Sequence, residues 1–292
     1  MNQKTAALRE RLSAGRVTWA AGAYDALSAK LVAAAGFDAV FTSGLCVSAS
    51  LLGEPDVELY TMSENLSVVR NAAAAVEVAL IADGDTGYGN AINVMRTVRE
   101  FEMAGAAGIV FEDQSSPKRC PACADELDLL SVTEAAGKIR AAVAARRDPN
   151  FLIVARTDAL DPAEAFERAK AYVAAGADLI QPITRTFKDA AGLRALKQAC
   201  GVRLSMQLVG WMEDGLTRAE IDEMAGLAIF TVVPLMSAVT AIQENLAALA
   251  RDRSTKNLPH ARGSHVELND FLGFHKVEAL QQEYLLPRES LV

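Results

Sequence analysis

The sequence predicts an α/β fold: an eight-stranded parallel (β/α)8 barrel of TIM type, with an extra helical segment at its C-terminal end. Three observations lead there. Short apolar runs alternate with helix-like stretches along the chain, which is the pattern of parallel βα units. The runs number eight, and eight in roughly 250 residues suit a closed barrel better than an open doubly wound sheet. Charged residues recur just past the runs, where barrel enzymes carry their chemistry.

The 292-residue chain opens with MNQKTAALRERLSAG, an amphipathic helix over 1–15 that lacks the apolar core of a signal peptide. The strands expected next are Val17–Ala20, Ala39–Thr42, Leu80–Asp83, Gly108–Glu112, Phe151–Arg156, Leu179–Gln181, Arg203–Met206 and Ala228–Val232. The helices between them include Ala26–Ala35, Ala91–Ala104, Thr133–Arg146, Ala163–Ala175, Asp189–Cys200 and Arg218–Ala225. Gly36, Gly105 and Gly176 each follow an Ala and precede a strand, where a left-handed helix C-cap is expected. No Gly-rich phosphate loop follows the first strand, which weakens the open-sheet alternative. The chain reads as one domain over 1–292, with a polar linker from Asp252 to Gly263 and a helix over Val266–Leu286. That helix needs another surface to cover, either a neighbouring subunit or its own barrel.

Apolar residues make up 51% of the chain and charged residues 23%, the balance of a soluble globular protein. A net charge of −8 without a basic run argues against nucleic acid as the main partner. No stretch approaches the length of a membrane span. Four cysteines, Cys46, Cys120, Cys123 and Cys200, are too few and too scattered for a disulfide framework. A cytoplasmic location is the simplest inference.

The most informative segment is Ile81-Ala-Asp83-Gly-Asp85-Thr-Gly87-Tyr-Gly89-Asn90, which places two carboxylates two residues apart at the end of an apolar run. Residues so spaced on a strand point to one side, and two like charges held there call for a cation or a proton between them. Oxygen-only ligation of this kind suits Mg²⁺. The next strand, Gly108-Ile-Val-Phe-Glu112-Asp113-Gln114, also ends in acids. The plainer reading, turn chemistry after a strand, accounts for either motif alone.

Taken in order, Gly22-Ala-Tyr24-Asp25, Thr42-Ser43-Gly44, Asp83-Gly-Asp85-Thr-Gly87-Tyr-Gly89-Asn90, Glu112-Asp113-Gln114, Pro117-Lys118-Arg119-Cys120 and Ala155-Arg156-Thr157-Asp158-Ala159 resemble the isocitrate lyase/phosphoenolpyruvate mutase superfamily. The resemblance runs from about residue 15 to 235. It implies a (β/α)8 barrel, a Mg²⁺ cofactor (Mn²⁺ as a substitute), a small carboxylic acid substrate and a homotetramer with exchanged C-terminal helices. It implies chemistry through a pyruvate-like enolate. It also implies that Asp83 ligates the metal while Asp85, Glu112 and Asp56 hold its waters. Ser43, Gly44 and Arg156 would grip the substrate carboxylate, and Tyr24 and Asp25 would line the pocket.

Lys118-Arg119-Cys120 resembles the loop of the 2-methylisocitrate lyase branch, whose Cys handles the proton of the departing acid. Here Pro121-Ala122 stands where that branch has Gly-His, and Gln181 and Met206-Gln207-Leu208 stand where it binds further carboxylates. Arg185, Gln207 and Trp211 then suit a smaller or less charged group. The reading is therefore a Mg²⁺-dependent carbon–carbon lyase of a 2-hydroxy acid, with Cys120, Lys118, Arg156 and Tyr24 as the reacting residues. A 2-oxo acid decarboxylase, a phosphonopyruvate-type hydrolase or phosphonomutase is the alternative on the same metal-enolate site, and a barrel that only binds is a third. Cys120-Pro-Ala-Cys123 lacks further soft ligands for zinc, since His260, His265 and His275 all lie in the tail. Cys123 reads as incidental and Cys46 as a small buried apolar residue.

Overall fold

A computed structural model describes residues 2–285. The chain divides into two compact units, Met1–Met236 and Ser237–Val292. The first holds eight parallel strands closed in chain order, β1 beside β8.

Along the chain, α1 (Gln3–Ser13) precedes β1 (Thr18–Ala23), α2 (Ala26–Ala34), β2 (Ala39–Thr42), α3 (Gly44–Leu51), α4 (Met62–Ala75), β3 (Ala79–Asp83) and α5 (Ala91–Met103). There follow β4 (Gly108–Phe111), α6 (Val132–Ala145), β5 (Leu152–Thr157), α7 (Pro162–Ala174), β6 (Leu179–Pro182) and α8 (Ala190–Cys200). The barrel ends with β7 (Leu204–Gln207), α9 (Trp211–Gly215), α10 (Arg218–Met224) and β8 (Ala225–Phe230). The remaining helices are α11 (Val233–Asp252), α12 (His265–Leu272) and α13 (Phe274–Tyr284).

Local chemistry sets these boundaries. Side chains of Asp25, Thr61, Asn90, Asp161 and Asp189 cap the helices that follow them, satisfying first-turn N–H groups. Gly36, Gly105 and Gly176 take φ values of 89°, 98° and 100°, the left-handed exit expected of them. Strand β8 begins three residues earlier than expected, because Met224 ends α10 and Ala225 enters the strand with no loop between.

Two apolar layers hold the barrel. Inside lie Ala20, Phe41, Ile81, Val110, Val154, Leu179 and Ile229; between strands and helices lie Val40, Leu80, Ile109, Ile153, Ile180 and Ala228 among others. Closure demands glycine at one place. Gly22 follows the Ala21↔Phe230 pair of β1 and β8, and a Cβ there would lie 1.8 Å from the Thr231 carbonyl oxygen.

In the second unit the expected tail helix is two helices, broken at Gly273, whose φ is 86°; Leu286 lies outside the described residues. Val266, Leu268, Phe274, Val277, Leu280 and Tyr284 are exposed along α12 and α13. One expectation is corrected: α11, with 20 residues and a mean hydropathy of 1.2, is long and apolar enough to cross a membrane by length and composition.

Candidate active site

Strand alternation builds the site. Two residues beyond each member of the inner apolar layer come Gly22, Ser43, Asp83, Glu112, Arg156, Gln181 and Thr231. With a period of two, these share the inward direction of the residues below them. A ring of polar groups thus sits on an apolar floor at the C-terminal mouth of the barrel.

Asp83 accepts backbone N–H bonds from Gly44 and Asp85, each 3.1 Å long. The turn after β3 runs through left-handed backbone at Asp85 (φ 48°) and Gly87 (φ 88°), and it brings Asp85 beneath two phenols. Tyr60 and Tyr88 donate to Asp85 Oδ2 at 2.6 and 2.9 Å. Its other oxygen lies 2.7 Å from Lys118 Nζ, which is also 2.9 Å from Asp56 and 3.8 Å from Glu112. Glu112 Oε2 is 2.8 Å from Arg156, whose Nε and Nη2 hold Asp158 at 2.6 and 2.8 Å. Gly44 is needed for this approach, since a Cβ would come within 2.9 Å of the Tyr60 hydroxyl and 3.1 Å of Asp85.

Five carboxylates (Asp56, Asp83, Asp85, Glu112, Asp158) thus share two buried cations, Lys118 and Arg156. The imbalance appears in their proton affinities. Burial and then Asp85 push Asp83 up to about 6 against the pull of Lys118 and Arg156. Burial pushes Glu112 well above the carboxylate range despite the same two cations. Burial acts on Asp85 as well, but Lys118 and the two tyrosine hydroxyls outweigh it and the group stays low. Burial opposes the charge on Lys118, yet Asp85, Glu112 and Asp56 hold its pKa well above the usual value.

Glu112 Oε1 is buried without a hydrogen-bond donor. An excess of buried negative charge, an all-oxygen donor set and an unused carboxylate oxygen fit a hard divalent cation. Among the described residues no three acid, imidazole or thiol side chains already form a ligand group; the Lys118 ammonium stands between the carboxylates.

The loop after β4 carries Lys118 and Cys120 and is anchored at several points. Gln114 accepts from the Arg119 N–H at 2.9 Å and donates to the Arg119 carbonyl at 3.1 Å and to Asp158 at 2.6 Å. Glu58 accepts the Lys118 backbone N–H at 3.0 Å. Cys120 is half-buried and Cys123 exposed. Arg185, expected at the substrate, gives its guanidinium to the Pro121 and Ala124 carbonyls at 2.8 and 2.6 Å. Tyr24 is half-buried, and burial followed by Asp25 raises its phenol pKa. Asp25 itself caps α2 in a capping box with Ser28. Trp211 packs on the rim and donates to the Thr184 carbonyl at 2.8 Å.

Sequence reasoning missed Tyr60, Tyr88, Gln114 and Asp158 as parts of the site. Asp158 carried a readable signal, the same two-residue spacing from Arg156 that marks Asp83 and Asp85. Tyr60 carried none, since it lies in an aperiodic segment.

Fold and site together define a barrel enzyme with its polar groups at the C-terminal mouth. The family model described as phosphoenolpyruvate phosphomutase matches residues 8–250, and the chain belongs to that superfamily, which also holds the isocitrate lyases. The chain is 38% identical over 291 residues to 2,3-dimethylmalate lyase of Eubacterium barkeri, covering 97% of this chain and 99% of that protein. The crystal structure of phosphoenolpyruvate phosphomutase from Streptomyces platensis subsp. rosaceus superposes with a TM-score of 0.90 at 32% identity, covering 97% of this chain and all (100%) of that one. Phosphonopyruvate hydrolase in complex with oxalate and Mg²⁺ superposes with a TM-score of 0.87 at 36% identity, covering 98% and 100%.

Proposed function

We propose that the protein is a Mg²⁺-dependent lyase that cleaves a carbon–carbon bond of a 2-hydroxy carboxylic acid to give a 2-oxo acid and a second carboxylic acid. The observation that carries this reading is the tie between loop and site: Lys118 reaches into the carboxylate cluster two residues before Cys120. A group able to move a proton is thereby placed on a segment fixed to the metal-binding acids. The relative named as a 2,3-dimethylmalate lyase supports the same class.

Asp83, Asp85, Glu112 and Asp56 would hold the cation. When bound there, Mg²⁺ supplies a Lewis acid for negative charge developing on substrate oxygen. Arg156, already oriented by Asp158, clamps a substrate carboxylate. The first turn of α3, whose Ser43 makes no side-chain cap, offers backbone N–H groups to that carboxylate. Tyr24 keeps its phenol proton and donates it as a hydrogen bond within the pocket. The substrate hydroxyl gives its proton to a carboxylate of the cluster as its oxygen becomes the carbonyl of the 2-oxo acid. The electron pair of the carbon–carbon bond goes to the α-carbon of the departing acid, which takes the proton of Cys120. Closing the loop excludes water from that carbon.

The end of β6 suggests the substrate's character. Gln181, in the ring above the inner layer, accepts from the Ser205 hydroxyl at 2.7 Å and is a neutral group rather than a cation that would bind a further carboxylate. A dicarboxylic 2-hydroxy acid suits this neutral position better than a tricarboxylate. A hydrolase or decarboxylase of a 2-oxo acid would use the same cluster without Cys120; the likeness to phosphonopyruvate hydrolase keeps that second reading. We also propose a cytoplasmic homotetramer in which the exposed apolar faces of α12 and α13 pack on a neighbouring subunit.

The test is product detection with purified protein and Mg²⁺, with and without EDTA, on 2-hydroxy di- and tricarboxylates, oxaloacetate and phosphonopyruvate. EDTA-sensitive release of a 2-oxo acid from a hydroxy acid, lost in Cys120→Ser, is the expected result. Release of phosphate or CO₂ with full activity in Cys120→Ser would move the protein to the second reading.

A further inference from the structure

We infer that Cys120 and Cys123 form a reversible disulfide, making the loop after β4 a thiol modification site that responds to a hydroperoxide. The two cysteines occupy one tight turn, with the Cys123 and Ala124 N–H groups both donating to the Cys120 carbonyl at 3.1 and 2.9 Å. The turn brings the two cysteines together at one end of the loop, near enough for the Cys120 thiol to raise the pKa of Cys123. Cys123 is exposed and Cys120 half-buried, so a small oxidant reaches the pair, whereas Cys46 and Cys200 are buried elsewhere in the barrel.

Arg185 adds an independent constraint. Its guanidinium holds the carbonyls of Pro121 and Ala124, the residues that follow the first and second cysteine. The turn is therefore braced from outside, which lowers the ordering cost of joining the two sulfurs. The cysteine taken from sequence as incidental is the partner that makes a cross-link possible.

The chemistry balances with hydrogen peroxide as oxidant. One thiolate attacks the O–O bond, giving a sulfenic acid and releasing water once protons are supplied. The second thiol attacks that sulfur, the S–S bond forms and a second water leaves. Together the thiols lose two electrons and two protons, and the peroxide becomes two waters. A dithiol reductant reverses the step by exchange. That cross-linking silences the enzyme rests on the reading of Cys120 as the proton donor; the cross-link itself does not.

Protein treated with hydrogen peroxide and then digested without reductant is read by mass spectrometry alongside turnover. The expected result is a Cys120–Cys123 cross-link, loss of most turnover, and recovery of both with dithiothreitol. Cys123→Ser should turn over as wild type when reduced. After peroxide it should carry an oxygen adduct at Cys120 in place of the cross-link. Absence of the cross-link in wild type would overturn the inference, whereas turnover undiminished once it has formed would overturn the proton-donor reading of Cys120 and leave the cross-link standing. Cys120→Ser assayed in reducing buffer separates the two ideas, since full activity there removes the proton-donor reading and leaves the cross-link standing.

Discussion

Lys118 Nζ stands 2.7 Å from Asp85 Oδ1, with both side chains almost wholly buried. Removing one partner of such a pair strands the other charge in a poor solvent, at about 3–5 kcal/mol. Lys118→Met should therefore melt roughly 10 °C lower than wild type in EDTA, and Mg²⁺ should restore most of the loss by taking over as counter-ion. Thermal denaturation with and without Mg²⁺ checks this; a variant indifferent to the ion would show that these acids do not bind it.

Asp158 should act as a positioning residue for Arg156. Asp158→Asn breaks one arm of the bidentate pair, and a hydrogen bond between charged groups is worth about 1.5–3 kcal/mol. KM for the carboxylate substrate is expected to rise by about ten- to a hundredfold with a smaller change in kcat. Steady-state kinetics would disprove the role if kcat alone fell.

Two glycine substitutions should have opposite signs. Gly22→Ala drives a Cβ into the Thr231 backbone at the β1–β8 closure, costing about 3 kcal/mol or more because backbone must move. Gly137→Ala, within α6, meets nothing closer than Arg140 at 3.7 Å, so helix propensity should add about 0.5–1 kcal/mol. Urea denaturation of both variants measures the contrast.

Cys46 provides a pH signature. Burial pushes its thiol up to about 11 from an ordinary value of 9.0, although Ser43 pulls the other way. Between those values the unfolded chain releases a proton that the folded protein keeps. Stability should therefore fall as pH rises through that window, by about 2–3 kcal/mol in full. Cys46→Ala should show a flatter stability profile from pH 8 to 10.5, and identical profiles would count against the shift. With dithiothreitol removed, a thiol reagent at pH 8 should modify Cys120 and Cys123 well before Cys46.

The barrel was legible because β2 and the other strands are uninterrupted apolar runs separated by capped helices, two periodicities that do not resemble one another. The helix α3 was not, since Gly44–Leu51 starts without a side-chain cap and follows its strand directly, whereas α4 carried a readable signal in its Thr61–Glu64 capping box. Asp83, Asp85, Glu112 and Arg156 were legible as acids and a base at strand ends. What they do to one another was not: Arg156 divides its guanidinium between Glu112 and Asp158, and Lys118 reaches across from a loop. Apart from Arg156–Asp158, these pairings join residues that no local spacing links, such as Lys118 with Asp56 and Arg156 with Glu112. Arg185 was placed by the same logic at the substrate, whereas the loop carbonyls claim it.

The sealed inner layer of Ala20, Phe41, Ile81, Val110, Val154, Leu179 and Ile229 has an evolutionary consequence. It lets folding and chemistry be inherited as separate traits. A change one step above it, in the polar ring at the strand ends, opens no hole in the part that holds the strands together. A lineage built this way can try new substrates while keeping its foldability, and proteins that share the plan are free to diverge into mutases, hydrolases and lyases.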